Sequence, residues 1–268
     1  MNHVFLIGAG PGDPELLTLK AARILLAAGV VLYDSLVDRR IVAMAGPAAR
    51  LIDVGKRCGR HSASQAEICR LLVEEALGGH MVVRLKGGDP MVFGRATEEM
   101  DALRAHGLSF EVVPGVTAAT AAAAALQLSL TRRGVARTLH FLTGHGAEGG
   151  LPAHDFVSLT KSGGTLVVYM GGETLPGMAA HFIEAGMPPD MPALAIENAS
   201  LPNQRCHKAT MATLPASAAR QKISGPVLIM IGEALGESPI IEVPHIASLP
   251  SSFLSSTIST WDHAGMQF

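Results

Sequence analysis

The stretch VFLIGAGPGDPELLTLKAA, residues 4–22, decides the fold class. Its first four residues, 4–7, are apolar without alternation, the pattern of a strand covered on both faces. GAGPGDP, residues 8–14, breaks that strand with three glycines and two prolines. Pro14 suits the first position of a helix. Leu16, Leu17, Leu19, Ala22, Ile24 and Leu25 then recur at helical spacing as far as Gly29. A strand, a glycine-rich turn and a helix open an α/β unit.

Working outward, the alternation continues. Strands are predicted at 30–33, 51–54, 81–85 and near 110–113, with helices at 37–45, after Ser64 and near 96–105. Ser64 with Glu67 reads as a capping box, and Gly78 with Gly79 stops that helix after Leu77. Apolar strands alternating with helices imply an α/β fold with a mainly parallel sheet. Pro114 and Gly115 mark a boundary between domains at 1–114 and 115–244. The second half opens with an alanine-rich helix over 117–126. Strands follow at 138–143 and 165–170, a helix at 175–185, and further strands near 193–197, 206–212 and 227–231. That quicker succession implies a mixed sheet. Residues 245–268 lack periodicity and read as a loosely ordered tail.

Composition narrows the function. Hydrophobic residues are 48% and charged residues 16%, which excludes a disordered chain. Twenty-one basic residues stand against 23 acidic ones, so no broad field favours nucleic acid or a membrane surface. Any anionic ligand must be met by local positive charge. Cys58, Cys69 and Cys206 are odd in number and form no CxxC pair, which fits a reducing compartment and argues against zinc. The N-terminus lacks a signal peptide's basic region, and no stretch is long enough to span a bilayer; the chain reads as cytoplasmic.

Open α/β sheets bind ligands beyond the carboxyl ends of their strands. That rule selects GAGPGDP, the Tyr33-Asp34 pair, GKR (55–57) and KGGDP (86–90). GAGPGDP lacks the spacing of a dinucleotide loop and the Gly-Lys-Ser/Thr of a P-loop. Read alone, it and KGGDP are equally tight turns that start helices.

The ordered segments VFLIGAGPGDPELLTLKAA, VVLYDSLV, VGKRCGRHSASQ, VVRLKGGDPMVFGRATEE, VVPGVTAATAAA, LSLTRRGVA, LTGH and VVYMG resemble the tetrapyrrole C-methyltransferases across residues 3–235. The resemblance implies two α/β domains with S-adenosylmethionine (SAM) in the cleft between them, and a homodimer. It further implies two successive methylations of uroporphyrinogen III to precorrin-2, with S-adenosylhomocysteine as the other product and no metal. Such chemistry needs alignment of an activated sulfonium donor with a pyrrole carbon, a proton acceptor or relay, and cations for a substrate bearing eight carboxylates.

By resemblance, Pro11, Gly87, Gly88, Asp89 and Val92 line the SAM pocket from the first domain, and Thr117, Ala118, Met170 and Ala199 from the second. Met170 also faces the substrate. Asp89 would accept from a ribose hydroxyl or the methionine ammonium. Asp34 and Lys56 match an acid/base pair, whose structural reading is a buried salt bridge. Arg95 would hold the macrocycle, with Glu98 orienting it; Arg133 and His145 match substrate-contacting positions. The chain departs from the family at Ala96 and Thr97, where glycines are usual, at Arg132 in place of histidine, and at Met91 in place of an aromatic. With nothing fused ahead of residue 1, a bifunctional arrangement is not expected. A later precorrin methyltransferase and a non-catalytic SAM- or tetrapyrrole-binding module are the alternatives; a nicotinamide dehydrogenase fails on glycine spacing.

Overall fold

The structure is a computed structural model that describes residues 3–55, 63–146, 148–223 and 225–236. Strands β1 (His3–Gly8), β2 (Val30–Tyr33), β3 (Arg50–Asp53), β4 (Met81–Lys86) and β5 (Ser109–Val113) form one sheet, ordered β3-β2-β4-β1-β5. Every neighbour in it is parallel. Helices α1 (Leu19–Ala27) and α2 (Arg39–Val42) cover one face through a core of Ile7, Leu25, Ile41, Val83 and Leu85. Helices α3 (Gln65–Leu77) and α4 (Ala96–Ala105) cover the other, against Leu6, Leu32, Val82, Leu72 and Leu103.

This arrangement places the ligand crevice. The chain leaves β1 and β2 towards the α1/α2 face, and leaves β4 towards the α3/α4 face. Because β4 lies between β1 and β2, neighbouring strand ends diverge there and open a gap at the carboxyl edge. Residues 8–13 and 86–90 border that gap. They are stitched together by Ala9 N–H donating to the Lys86 carbonyl at 2.7 Å and by paired bonds between Gly10 and Gly88 at 3.1 and 2.7 Å.

The second sheet contains β6 (Leu139–Thr143), β7 (Thr165–Tyr169), β8 (Pro192–Glu197), β9 (Arg205–Thr210) and β10 (Val227–Ile231), ordered β6-β7-β10-β8-β9. Only β6 and β7 run parallel, so this sheet is mixed. Helices α6 (Phe156–Lys161), α7 (Leu175–Glu184) and α8 (Leu214–Arg220) lie on one face; α5 (Ala118–Ala125) lies on the other.

Three elements differ from the sequence reading. The helix expected from Pro14 is split into a 3₁₀ turn (Pro14–Leu16) and α1. Asp13 caps the turn by accepting from Glu15 N–H at 3.0 Å, and the Thr18 hydroxyl restarts the chain by accepting from Ala21 N–H at 3.2 Å. The helix expected over 37–45 shrinks to four residues, entered at Asp38, whose carboxylate accepts from Arg40 N–H at 2.8 Å. Helix α6 was not anticipated; Asp155 starts it by accepting from Ser158 N–H at 3.0 Å. The tail at 245–268 lies outside the described residues.

Candidate active site

The carboxyl edge of the first sheet meets the start of the second half along a seam of backbone. A Cβ placed on Gly115 would lie 2.3 Å from the Gly88 carbonyl oxygen, and one on Gly8 would lie 2.5 Å from Gly115 N. Only glycine fits there. Asp89 fastens the seam: one carboxylate oxygen accepts from Gly115 N–H at 3.0 Å and the other from Met91 N–H at 2.8 Å. Its first role is therefore to tie KGGDP to the start of the second half, which is the turn-forming alternative for that loop.

Beside the seam lies a cavity of ≈ 390 Å³ between the halves. All nine residues assigned to the SAM pocket line it: Pro11, Gly87, Gly88, Asp89, Val92, Thr117, Ala118, Met170 and Ala199. Asp34 and Arg95 also line it. Lys56 lies outside the described residues, so its pairing with Asp34 does too. Glu98 stands one step back and receives Arg95 Nε and Nη2 at 2.9 Å each. That hydrogen bond raises the Arg95 pKa further. Arg133 and His145 are exposed and do not line the cavity.

Three groups at the site escaped the sequence reading. The first is a buried set of charges in the cavity wall, where Gln65, Arg84 and Lys86 border the cavity and Glu99 lies behind them. On β4, Arg84 and Lys86 share the face turned towards α3 and α4, where Glu99 of α4 is fully buried. Glu99 Oε1 accepts from Arg84 Nε at 3.0 Å, Lys86 Nζ at 2.9 Å and Gln65 Nε2 at 3.3 Å. Arg84 Nη2 donates to Asp34 Oδ1 at 2.6 Å. Burial opposes the Arg84 charge, but Asp34 and Glu99 outweigh it and raise its pKa. For Lys86, burial and the neighbouring Arg84 prevail and lower its pKa. Two basic residues at i and i+2 inside a central strand were the available signal, since both must be paired when covered.

Tyr169 is the second. Its hydroxyl meets Thr117 Oγ1 at 2.6 Å and accepts from Ala119 N–H at 3.4 Å, and its ring lies 5.1 Å from that of Phe93 across the cleft. Burial raises its pKa. The third is a set of strained backbone positions. Phe93 (φ 52°), Arg95 (53°), Met170 (56°) and Asn198 (54°) all line the cavity in the left-handed region. Each costs on the order of 1 kcal/mol, and such strain concentrates where a side chain must be aimed. Around the mouth, Leu36, Phe93 and Met170 stay exposed and form an apolar collar.

Two α/β lobes with a ligand cleft between the glycine-rich ends of one sheet and the opening helix of the other define the class of protein. The chain belongs to the tetrapyrrole (corrin/porphyrin) methylases, whose family model matches residues 3–215. It is 46% identical over 240 residues to the S-adenosyl-L-methionine-dependent uroporphyrinogen III methyltransferase, chloroplastic, of Arabidopsis thaliana, covering 89% of this chain and 65% of that one. It is 46% identical over 235 residues to the siroheme synthase of Methylococcus capsulatus, covering 88% of this chain and 50% of the relative. The chain thus spans one half to just under two thirds of these relatives' lengths. Among solved structures, uroporphyrin-III C-methyl transferase from Thermus thermophilus, complexed with S-adenyl homocysteine, superposes with a TM-score of 0.74 at 44% identity, over 87% of this chain and 98% of that one.

Proposed function

We propose that this protein is a SAM-dependent methyltransferase that converts uroporphyrinogen III to precorrin-2 by two successive C-methylations. The observation that carries the reading is the cavity beside the glycine seam, lined by residues of both lobes, many of them small, and collared by apolar side chains. A bent nucleoside-like donor fits that wall: at Gly88 (φ 68°) a Cβ would meet nothing within 4 Å, so the missing side chain leaves open space beside the backbone. When bound, SAM supplies a methyl group already activated on a sulfonium sulfur.

The chain's own residues do the remainder. The seam fixes the two walls against each other, which holds bound partners in register; orientation of this kind contributes ~7–11 kcal/mol in favourable cases. Leu36, Phe93 and Met170 cover the apolar faces of the macrocycle and keep water from them. Arg95, held by Glu98, supplies positive charge towards the substrate's carboxylates. Asp34 offers an acceptor at the cavity wall. Arg133 and His145 stand outside the cavity, and we assign them to carboxylates at the macrocycle's outer edge. We further place the lobe boundary at Pro114 and Gly115, supported by the passage there from β5 to α5 on the second core. The protein is read as a cytoplasmic homodimer; among the described residues no helix is long and apolar enough to cross a membrane.

Anaerobic incubation with SAM and uroporphyrinogen III tests the activity. Mass spectrometry should show a product two methyl groups heavier than the substrate. No mass increase, or methylation only of an already methylated substrate, overturns the assignment.

A further inference from the structure

Arg84 lies on the floor of the cleft, 2% exposed, with its guanidinium fork divided between two carboxylates. Nη2 holds Asp34 Oδ1 at 2.6 Å, Nε holds Glu99 Oε1 at 3.0 Å, and Nη1 donates to the Leu85 carbonyl at 3.2 Å. Glu99 is in turn pinned by Lys86 and Gln65. The charges of Asp34, Arg84, Lys86 and Glu99 cancel, yet burying them is expensive, and an apolar set of the same volume would hold the fold as well. Glu99 Oε2 even lies buried with no hydrogen-bond partner among the described residues. Arg84 and Lys86 also border the cavity but are 2% and 4% exposed, whereas the Asp34 side chain is 29% exposed and is the accessible charge of the set. A rigid, buried assembly that ends in a single accessible carboxylate is organised around that carboxylate.

We propose that Arg84 is a positioning residue: anchored from behind by Glu99, it fixes the Asp34 carboxylate at the cavity wall as the hydrogen-bond acceptor for the pyrrole N–H groups of the macrocycle. This rests on the reading of the cavity as the tetrapyrrole site. The chemistry gives it a purpose. When a pyrrole β-carbon gains a methyl group, the ring becomes cationic and its N–H becomes a stronger donor. A carboxylate already oriented towards that N–H is worth more in the transition state than in the ground state. A freely rotating, hydrated carboxylate would have to reorganise first. Arg84 removes that reorganisation, so its effect falls on kcat and not on substrate affinity.

A double-mutant cycle on the full chain tests this, read by single-turnover methylation of uroporphyrinogen III under anaerobic conditions, with calorimetric binding of S-adenosylhomocysteine as the control. Arg84→Met and Asp34→Asn should each lower kcat by about 10- to 100-fold, the range for a lost charge-assisted bond. KM and S-adenosylhomocysteine affinity should stay within a few-fold. The double variant should be no slower than the slower single variant, because Arg84 acts only through Asp34. Losses that multiply, or an Arg84→Met enzyme as fast as the parent, overturn the proposal. Should Arg84→Met fail to bind S-adenosylhomocysteine, Arg84→Lys serves in its place. The ammonium keeps the charge but lacks the fork, so it should slow the parent about 10-fold and leave the Asp34→Asn background unchanged. An Arg84→Lys enzyme of parental speed, or one that slows both backgrounds alike, equally overturns it. Failure of the unmutated protein to methylate uroporphyrinogen III strikes the functional reading itself, a result separable from any pattern within the cycle.

Discussion

Arg95 shows what one residue gives up for its position. It stands at φ 53°, ψ 27° just ahead of α4 and provides no side-chain cap for that helix. A left-handed backbone suits glycine and costs an arginine on the order of 1–2 kcal/mol. Its ion pair with Glu98 recovers little, since both side chains are about half exposed. Arg95→Gly should therefore unfold in urea with a stability above that of Arg95→Ala by about 1 kcal/mol, while both lose methyl transfer. Equal stabilities would show that the left-handed turn carries no strain. A strained, partly exposed guanidinium aimed at a cleft is a residue kept for what it touches.

At the scale of elements, the loop after β4 does two tasks with three residues. Gly87 and Gly88 leave room along the cavity, and Asp89 accepts from amides on both sides of the seam. Removing that carboxylate orphans two N–H groups. Asp89→Ala should lower unfolding free energy by about 1–3 kcal/mol and weaken SAM binding more than macrocycle binding; calorimetry on both ligands separates the two effects. A variant as stable as the parent would deny Asp89 its fastening role. The loop itself was legible because glycine, proline and aspartate after an apolar run leave few alternatives to a turn at a strand end. What lies beneath it was not. Arg84 and Lys86 sit within a strand whose remaining residues are apolar, and periodicity does not reveal that a charged pair is buried instead of exposed. Glu99 follows Glu98 directly, yet Glu99 is buried and Glu98 faces solvent, a distinction set by which face of α4 packs on the sheet. Thr18 likewise escaped notice because a hydroxyl that restarts a helix is indistinguishable in sequence from one that merely decorates it.

Across the whole molecule, the fold class followed from alternating strands and helices, and the mixed second sheet from the shorter intervals between its strands. The relation between lobes was not legible, because contacts such as Phe93 against Tyr169 join residues remote in the chain. Tyr169 provides a test of that packing. Burial raises its pKa, with Thr117 and Ala119 opposing in part. The folded protein therefore keeps the phenolic proton at a pH where the unfolded chain has begun to release it. The stability tied to this group is intact below the ordinary tyrosine value and declines as pH rises through the higher folded value. Above about pH 10, urea midpoints of the parent should fall more steeply with pH than those of Tyr169→Phe. Parallel slopes would place the phenol in water.

The seam that Gly8 and Gly115 form beside the Gly88 carbonyl has an evolutionary corollary. Where main chain abuts main chain, no change of side chain can adjust the spacing of the halves by small degrees; the smallest available step, one methyl, already collides. Drift is therefore barred at the hinge line and free at the collar, where Leu36 and Met170 can be exchanged for larger or smaller neighbours. A scaffold built so would keep one handling of its donor across a lineage while trying successive acceptors at its lip.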